Sequence, residues 1–244
     1  MPLKFKNILT KIENYLFPEY CLICKQAGNT FCPACRASIK QSTPRCSFCG
    51  QKSTLGLICN NCRQNNIDYP IDGVFAYSSY EYTYLKIALK ALKFQGLRPL
   101  GLILGRMLGR KLLTEWRIYQ STNPTQKLIS PTIIAMPLHK KRERERGFNQ
   151  SLLIAQGVSE ICNWQINTNL QRRSYQKPSA QLKYHSRLKQ KKIFLYSSDK
   201  NLQKQTIILV DDIFTTGATA HDAALALKQA GAGTIIVVVV AQSI

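Results

Sequence analysis

Ile207-Ile208-Leu209-Val210-Asp211-Asp212-Ile213-Phe214-Thr215-Thr216-Gly217-Ala218-Thr219 is the stretch whose reading decides the fold. Four branched apolar residues in a row predict a strand buried on both faces, as a parallel sheet makes. Two adjacent carboxylates stand at its carboxyl end, and a hydroxyl- and glycine-rich turn leads into an apolar, helix-periodic segment from Ala220 to Ala230. In open α/β sheets ligands sit outside the carboxyl ends of the strands, where a helix N-terminus offers N–H groups and a positive dipole end to a phosphate. Thr215, Thr216, Gly217, Ala218 and Thr219 are therefore candidates to cradle a phosphate, and Asp211 and Asp212 to accept hydrogen bonds from two sugar hydroxyls. The plainer alternative is a strand that ends in an acidic helix cap.

The pattern resembles the motif by which type I phosphoribosyltransferases bind 5-phosphoribosyl-1-pyrophosphate (PRPP). That resemblance implies an acidic pair on ribose O2 and O3, with the Thr/Gly loop on the 5-phosphate.

Upstream, eight of the nine cysteines form four pairs with two residues between partners: Cys21 and Cys24, Cys32 and Cys35, Cys46 and Cys49, Cys59 and Cys62. Each pair supplies half of a tetrahedral thiolate site, so the four predict two structural zinc ions with no coordination position left for catalysis. Sequential pairing gives two successive zinc ribbons, and spacing alone also allows a cross-braced arrangement. Bound thiols are deprotonated, so two filled sites lower the working charge by roughly four. The ninth, Cys162, reads as helix core.

The 244 residues carry 34 Lys and Arg against 13 Asp and Glu, a formal net charge of +21. The cations are bunched. Between Tyr82 and Thr114 stand Lys86, Lys90, Lys93, Arg98, Arg106, Arg110 and Lys111 without an acid, and Gln171 to Lys192 holds Arg172, Arg173, Lys177, Lys183, Arg187, Lys189, Lys191 and Lys192, again without one. Lys86, Lys90 and Lys93 recur at helical spacing and are expected to share a face. Such tracts attract polyanions in a salt-dependent way, or simply keep a surface solvated. Tyr175, Tyr184, Phe194 and Tyr196 interleave with the second tract as base-stacking platforms would. Lys86, Lys90, Lys93, Arg172, Arg173, Lys177, Lys183 and Arg187 are the candidate contacts to single-stranded nucleic acid.

No run is long and apolar enough for a membrane span: Ile235 to Ala241 is too short, and Leu97 to Leu113 is broken by cations. The N-terminus lacks the pattern of a signal peptide, so a cytoplasmic location is expected. Residues 1–20 carry an amphipathic pattern (Phe5, Ile8, Leu9, Ile12, Leu16) expected to pack on a neighbouring domain, with a membrane surface as the alternative because Lys4, Lys6 and Lys11 flank it.

Further expected elements are a strand at Asp72 to Ser79, helices at Tyr84 to Phe94 and Leu100 to Leu113, and a strand at Thr132 to Pro137. That strand runs into Pro137, Leu138, His139 and Lys140, a tight turn suited to a pyrophosphate. The charged run from Lys140 through Arg144, Arg146, Gly147, Phe148, Asn149 and Gln150 reads as a mobile flap able to close over an anion, or as a solvated turn. A helix from Ser151 to about Cys162 follows.

Leu92-Lys93-Phe94, Pro137-Leu138-His139, Arg144-Glu145-Arg146-Gly147-Phe148-Asn149-Gln150, the cysteine pairs and the PRPP-type loop occur together, in the order of the chain, in the ComF family. From about Tyr15 onward the chain resembles a ComF/ComFC-type competence protein. The resemblance implies an N-terminal helix and double zinc ribbon over residues 1–68, and a type I phosphoribosyltransferase-like α/β domain, a parallel sheet with flanking helices, over 69–244. It implies a role in natural transformation, where incoming single-stranded DNA is handled in the cytoplasm, and possible contact with DNA-uptake or recombination proteins. It also leaves open a phosphoribosyltransferase acting on an unidentified acceptor, with Mg²⁺ accompanying PRPP. Family members often carry Thr-x-x-Gln and Arg-x-x-Asn segments, where this chain has Gln176-Lys177-Pro178-Ser179 and Arg187-Leu188-Lys189-Gln190. No acid stands between Asp212 and Asp222 to serve as a general base of the purine-salvage kind, which leaves His139 and flap lysines as candidates.

Overall fold

The computed structural model describes residues 19–123, 130–173, 193–198 and 201–243. The amphipathic pattern of residues 1–18 lies outside them. So do the Thr-x-x-Gln and Arg-x-x-Asn counterparts, and Tyr175, Lys177, Lys183, Tyr184 and Arg187.

Two short helices, α1 (Pro33–Ala37) and α2 (Asn60–Gln64), belong to the cysteine-rich segment. After them come β1 (Gly73–Ser79), α3 (Thr83–Phe94), α4 (Pro99–Thr122), β2 (Thr132–Ala135), α5 (Lys140–Arg146) and α6 (Gln150–Cys162). The chain continues through β3 (Ile166–Asn167), β4 (Leu170–Arg172), β5 (Phe194–Tyr196), β6 (Ile207–Phe214), α7 (Ala218–Gln229) and β7 (Ile235–Gln242).

Five strands form one sheet in the order β1-β7-β6-β2-β3, and every pairing in it is parallel. β4 and β5 make a separate antiparallel pair. The expected parallel sheet with flanking helices is what the chain builds. The run Ile235 to Ala241 is an inner strand, β7, fully buried between β1 and β6.

Side chains alternate across the sheet with a period of two. Ile208 and Val210 of β6, with Ile236, Val238 and Val240 of β7, face a core shared with α3, α4 and α6. Ile207, Leu209, Val237 and Val239 face the other side, against α7 and the β4–β5 pair. Phe31, Ile39 and Leu55 of the cysteine-rich segment enter the first of these cores beside Phe75 and Leu104.

Two polar ties join the cysteine-rich segment to the sheet. Lys111, half-buried on α4, donates from Nζ to the carbonyls of Ser42 (2.6 Å), Ala76 (2.7 Å) and Tyr77 (3.1 Å), so all three ammonium protons have acceptors. Burial brings its pKa down to about 8, against the pull of Glu115. At the amino edge of the sheet, Asp72 takes Arg63 at 2.7 Å, Lys228 at 2.9 Å and the Ile235 N–H at 2.7 Å.

α4 and α6 approach closely because glycines meet at their crossing. A Cβ on Gly157 would stand 2.5 Å from the Leu102 carbonyl oxygen, and one on Gly105 would stand 2.2 Å from that of Ile154. This contact seats α6, whose first turn carries a residue of the site.

Candidate functional site

β6 runs four residues past Val210. On one side its pairing with β2 stops at Val210, while on the other it stays paired with β7 as far as Phe214 opposite Gln242. Asp211 and Asp212 thus stand at the free carboxyl edge beside β2, inside the strand rather than after it.

Asp212 lies on the same side as Ile208 and Val210, facing α3, and is 4% exposed. Lys93, in the last turn of α3, places Nζ 2.8 Å from Asp212 Oδ2. Lys93 is therefore turned into the site at the carboxyl end of the helix face it shares with Lys86 and Lys90, both of which stay exposed. The helix ends at Phe94, so its final turn meets the sheet edge while the earlier turns face outward.

Asp211 Oδ1 accepts from Ser151 Oγ at 2.8 Å and from the Asp212 N–H at 2.8 Å. Burial and the neighbouring Asp212 charge push the Asp211 carboxyl up to about 7, and Ser151, the Asp212 N–H and Lys93 hold it back. Near neutrality this carboxyl can donate as well as accept a hydrogen bond.

The turn after β6 closes against the Phe214 ring. Gly217 has φ of 73°, in the left-handed region, and a Cβ there would stand 2.6 Å from the ring. α7 then begins with no side-chain cap and no acid in its first turn. Thr215, Thr216 and Thr219 are exposed around it. An uncapped start of a twelve-residue helix beside two carboxylates leaves donors directed at the sheet edge.

The charged run after β2, read from sequence as a flap or a solvated turn, is helical: α5 spans Lys140–Arg146. The His139 ring accepts the Lys141 N–H at 3.2 Å as the cap, and Gly147, left-handed, closes the helix through its N–H on the Glu143 carbonyl at 2.7 Å. Phe148 is buried, with the Arg98 guanidinium over its ring and donating to the Gly147 carbonyl at 2.9 Å. Asn149 caps α6 by accepting from the Ser151 and Leu152 N–H groups, and its own amide donates to the Met136 carbonyl at 3.1 Å. Arg146 donates to Gln150, which is buried. This motif thus assembles the α5–α6 corner and delivers Ser151 to Asp211. Pro137 and Leu138 are half-buried in the turn between β2 and α5, and Lys140 and Arg144 are exposed.

Arg172 ends β4 with its guanidinium over the Phe194 ring and its Nε buried without a partner among the described residues. Burial and the Arg142 charge lower its pKa, and Asp211 and Asp222 oppose this, so it lies within electrostatic range of Asp211. Arg173 is exposed. The first basic tract is largely absorbed by structure: Lys111 holds carbonyls, Arg106 pairs with Glu160 at 2.6 Å, and Arg98 braces Gly147. Cys162 is buried and donates to the Gly109 carbonyl, as helix core.

Lys93 and Ser151 are the site residues that motif reading missed. Lysine at helical spacing gives no sign of which turn meets a sheet edge. For Ser151 a signal existed, since a hydroxyl in the first turn after an Asn cap faces along the helix start.

The cysteines settle into two clusters by sequential pairing: Cys21, Cys24, Cys32 and Cys35, then Cys46, Cys49, Cys59 and Cys62. Within each cluster the sulfurs all lie within 4.8 Å of one another, which closes the cross-braced alternative. Thiolates around one zinc lie roughly 3.8 Å apart for metal–sulfur bonds of about 2.3 Å. Cys24 and Cys32 are 3.6 Å apart, and Cys49 and Cys59 are 3.7 Å apart. The two modules repeat one design: Cys32 starts α1 and Cys59 starts α2, while the Cys32 and Cys59 N–H groups donate to Cys21 and Cys46. Burial disfavours charge at Cys21, but N–H groups of Cys32, Cys24 and Ile23 outweigh it and bring the thiol down to about 6. This donor set fits structural zinc.

Residues 12–63 match the family model of the double zinc ribbon domain. The chain is 28% identical to competence protein ComFC of Bacillus subtilis over 82% of its own length and 78% of that protein. It is 26% identical to DNA utilization protein YhgH of Salmonella typhimurium, covering 89% of this chain and 94% of that one. It is also 26% identical to competence protein F of Haemophilus influenzae, covering 86% and 91%. Among solved structures, a purine phosphoribosyltransferase from Pyrococcus horikoshii aligns with a TM-score of 0.33 at 18% identity, covering 53% of this chain and 67% of that one. The resemblance to ComF-type competence proteins is borne out across most of the chain. No helix among the described residues is long and apolar enough to cross a membrane.

Proposed function

We propose that this protein serves natural transformation in the cytoplasm, handling incoming single-stranded DNA, and that its β6–α7 site binds a ribose phosphate such as PRPP. One observation carries the second half: the paired carboxylates stand at a free strand edge immediately before a helix start that is uncapped and free of acids. Carboxylates suit ribose hydroxyls, and the helix start suits a phosphate. The names of the relatives, competence and DNA utilization proteins, support the first half. DNA contacts are assigned to the exposed Lys86, Lys90 and Arg173, together with Lys177, Lys183 and Arg187 of the adjoining tract.

In this reading Asp211 and Asp212 orient the sugar. Arg146 and Arg172 supply positive charge beside it, and the α5–α6 corner holds Ser151 on Asp211. Mg²⁺ would arrive on ligand oxygens and neutralise pyrophosphate, since the carboxylates are already engaged by Lys93 and Ser151. Zinc keeps the ribbons folded, where they offer a surface to DNA-uptake or recombination proteins.

A second reading, phosphoribosyl transfer to an unidentified acceptor, is favoured by the Asp211 carboxyl, which titrates near neutrality as an acid–base group does.

Fluorescence anisotropy of a labelled single-stranded oligonucleotide across a salt series, with and without Mg²⁺-PRPP, tests the proposal. Binding that survives near-physiological salt and responds to PRPP is expected. Binding that vanishes with salt and ignores PRPP would overturn the DNA half, and pyrophosphate release with a candidate acceptor would establish the enzyme.

A further inference from the structure

Among the described residues Lys93 is the cation paired with the acidic residues, and the ribose-phosphate reading gives it no contact to the ligand. Its Nζ is 2.8 Å from Asp212 Oδ2, with side-chain exposures of 21% and 6%. Asp212 Oδ2 nevertheless receives no well-directed hydrogen bond among the described residues. The contact is thus one of charge without the alignment that makes a carboxylate pair strong. Lysine is a point charge on four rotatable bonds with three donors, so its head can pass to a neighbouring acceptor at small cost. Lys93 also sits at a helix C-terminus, where the dipole favours a cation whether or not Asp212 holds it.

A ribose hydroxyl needs an oxygen of Asp212, and that oxygen is covered by Lys93. A polyanion arriving at the same edge offers the ammonium a better acceptor than one carboxylate does. Arg146, half-buried and within the field of Asp212, lies on the same approach.

We propose that Lys93 is an exchangeable counter-ion and a specificity-determining residue of this site: it neutralises Asp212 in the free protein and passes to the phosphate oxygens of the bound ligand, releasing Asp212 Oδ2 to a sugar hydroxyl. The inference rests on the ribose-phosphate reading for the sugar, but its anion half stands separately. The site selects a ligand that brings both a hydroxyl and a polyphosphate. Part of the charge that a divalent ion would neutralise is met by the protein, so binding persists without added metal.

The test is calorimetric titration of the zinc-loaded full chain with inorganic pyrophosphate and with PRPP, each in Mg²⁺ and in Mg²⁺-free buffer. Loss of one charge-assisted contact predicts that Lys93→Gln weakens both ligands by about 10- to 100-fold without Mg²⁺. With Mg²⁺ present, which replaces the missing charge, the expected loss is only about threefold. Lys93→Arg is expected to restore binding of pyrophosphate without Mg²⁺. The double variant Lys93→Gln with Asp212→Asn removes the stranded carboxylate and so guards against misfolding. It should show a smaller loss for pyrophosphate, since the repelling carboxylate is gone too, but one that again appears mainly without Mg²⁺.

Equal losses with and without Mg²⁺ would overturn the proposal, as would wild-type protein that binds pyrophosphate only with Mg²⁺. PRPP binding no tighter than pyrophosphate would sink the ribose reading instead, and the anion role of Lys93 would stand on the pyrophosphate data.

Discussion

Removing the Ser151 hydroxyl should destabilise the protein by an amount that depends on pH, because that hydroxyl works against the environment of Asp211. Ser151 is 1% exposed and donates to Asp211 Oδ1 at 2.8 Å. Burial and Asp212 have already raised this carboxyl to about 7, above the ordinary value of 3.8. With the folded value above the unfolded one, ionisation of Asp211 opposes folding. Its contribution to stability therefore falls as pH rises from about 4 through about 7. A hydrogen bond to a neutral group is worth about 1 kcal/mol and one to a charged group about 1.5–3 kcal/mol. Ser151→Ala should thus cost about 1 kcal/mol where Asp211 is neutral and about 2 kcal/mol where it is ionised. The difference corresponds to a further rise of the carboxyl by about one unit.

Urea unfolding of wild-type and Ser151→Ala protein, both zinc-loaded, at about pH 6 and about pH 8.5 isolates this, since thiolate titration is common to both and cancels. The cost of the substitution should roughly double at the higher pH. An equal cost at both values, or a larger one in acid, would refute the placement of Asp211 as a half-buried carboxyl held down by Ser151.

Other outcomes follow from the same structure. Lys111→Met removes one donor from each of the Ser42, Ala76 and Tyr77 carbonyls, of which the last two keep a bond from Ser42, and should lower stability by about 1–3 kcal/mol in thermal melts, with PRPP affinity unchanged in the folded fraction. A melt within a degree of wild type would show that the carbonyls find other partners. Cys46→Ser should reduce bound zinc, measured by mass spectrometry of metal content, to half the wild-type value while the first cluster stays filled. Loss of both ions would mean the clusters fill as one unit. Gly157→Ala drives a methyl group against the Leu102 carbonyl and should cost about 1–3 kcal/mol in denaturant unfolding.

The parallel sheet was legible because β6 and β7 are runs of branched residues too apolar for any surface strand. The zinc clusters were legible because paired cysteines at short spacing serve few other ends. What remained hidden depends on contacts between distant parts of the chain. The cations from Lys86 to Lys111 look alike in sequence, yet Lys93 enters the site, Lys111 staples two segments and Arg106 meets Glu160. Charge counting has no means of separating them. The α5 helix was hidden because alternating Lys, Arg and Glu carry no apolar period. Its helicity shows only in the end signals, His139 before it and Gly147 after it. β3 and β4, at two and three residues, are too short for any period to register.

The central claim, that Asp211 and Asp212 at the end of β6 hold a ribose phosphate before α7, is tested most directly by calorimetric titration of Mg²⁺-PRPP into wild-type protein and into the Asp211→Asn, Asp212→Asn double variant. The account predicts saturable one-site binding to wild type and none to the double variant, with far-ultraviolet circular dichroism and zinc content unchanged. Equal affinity in the two proteins would contradict it.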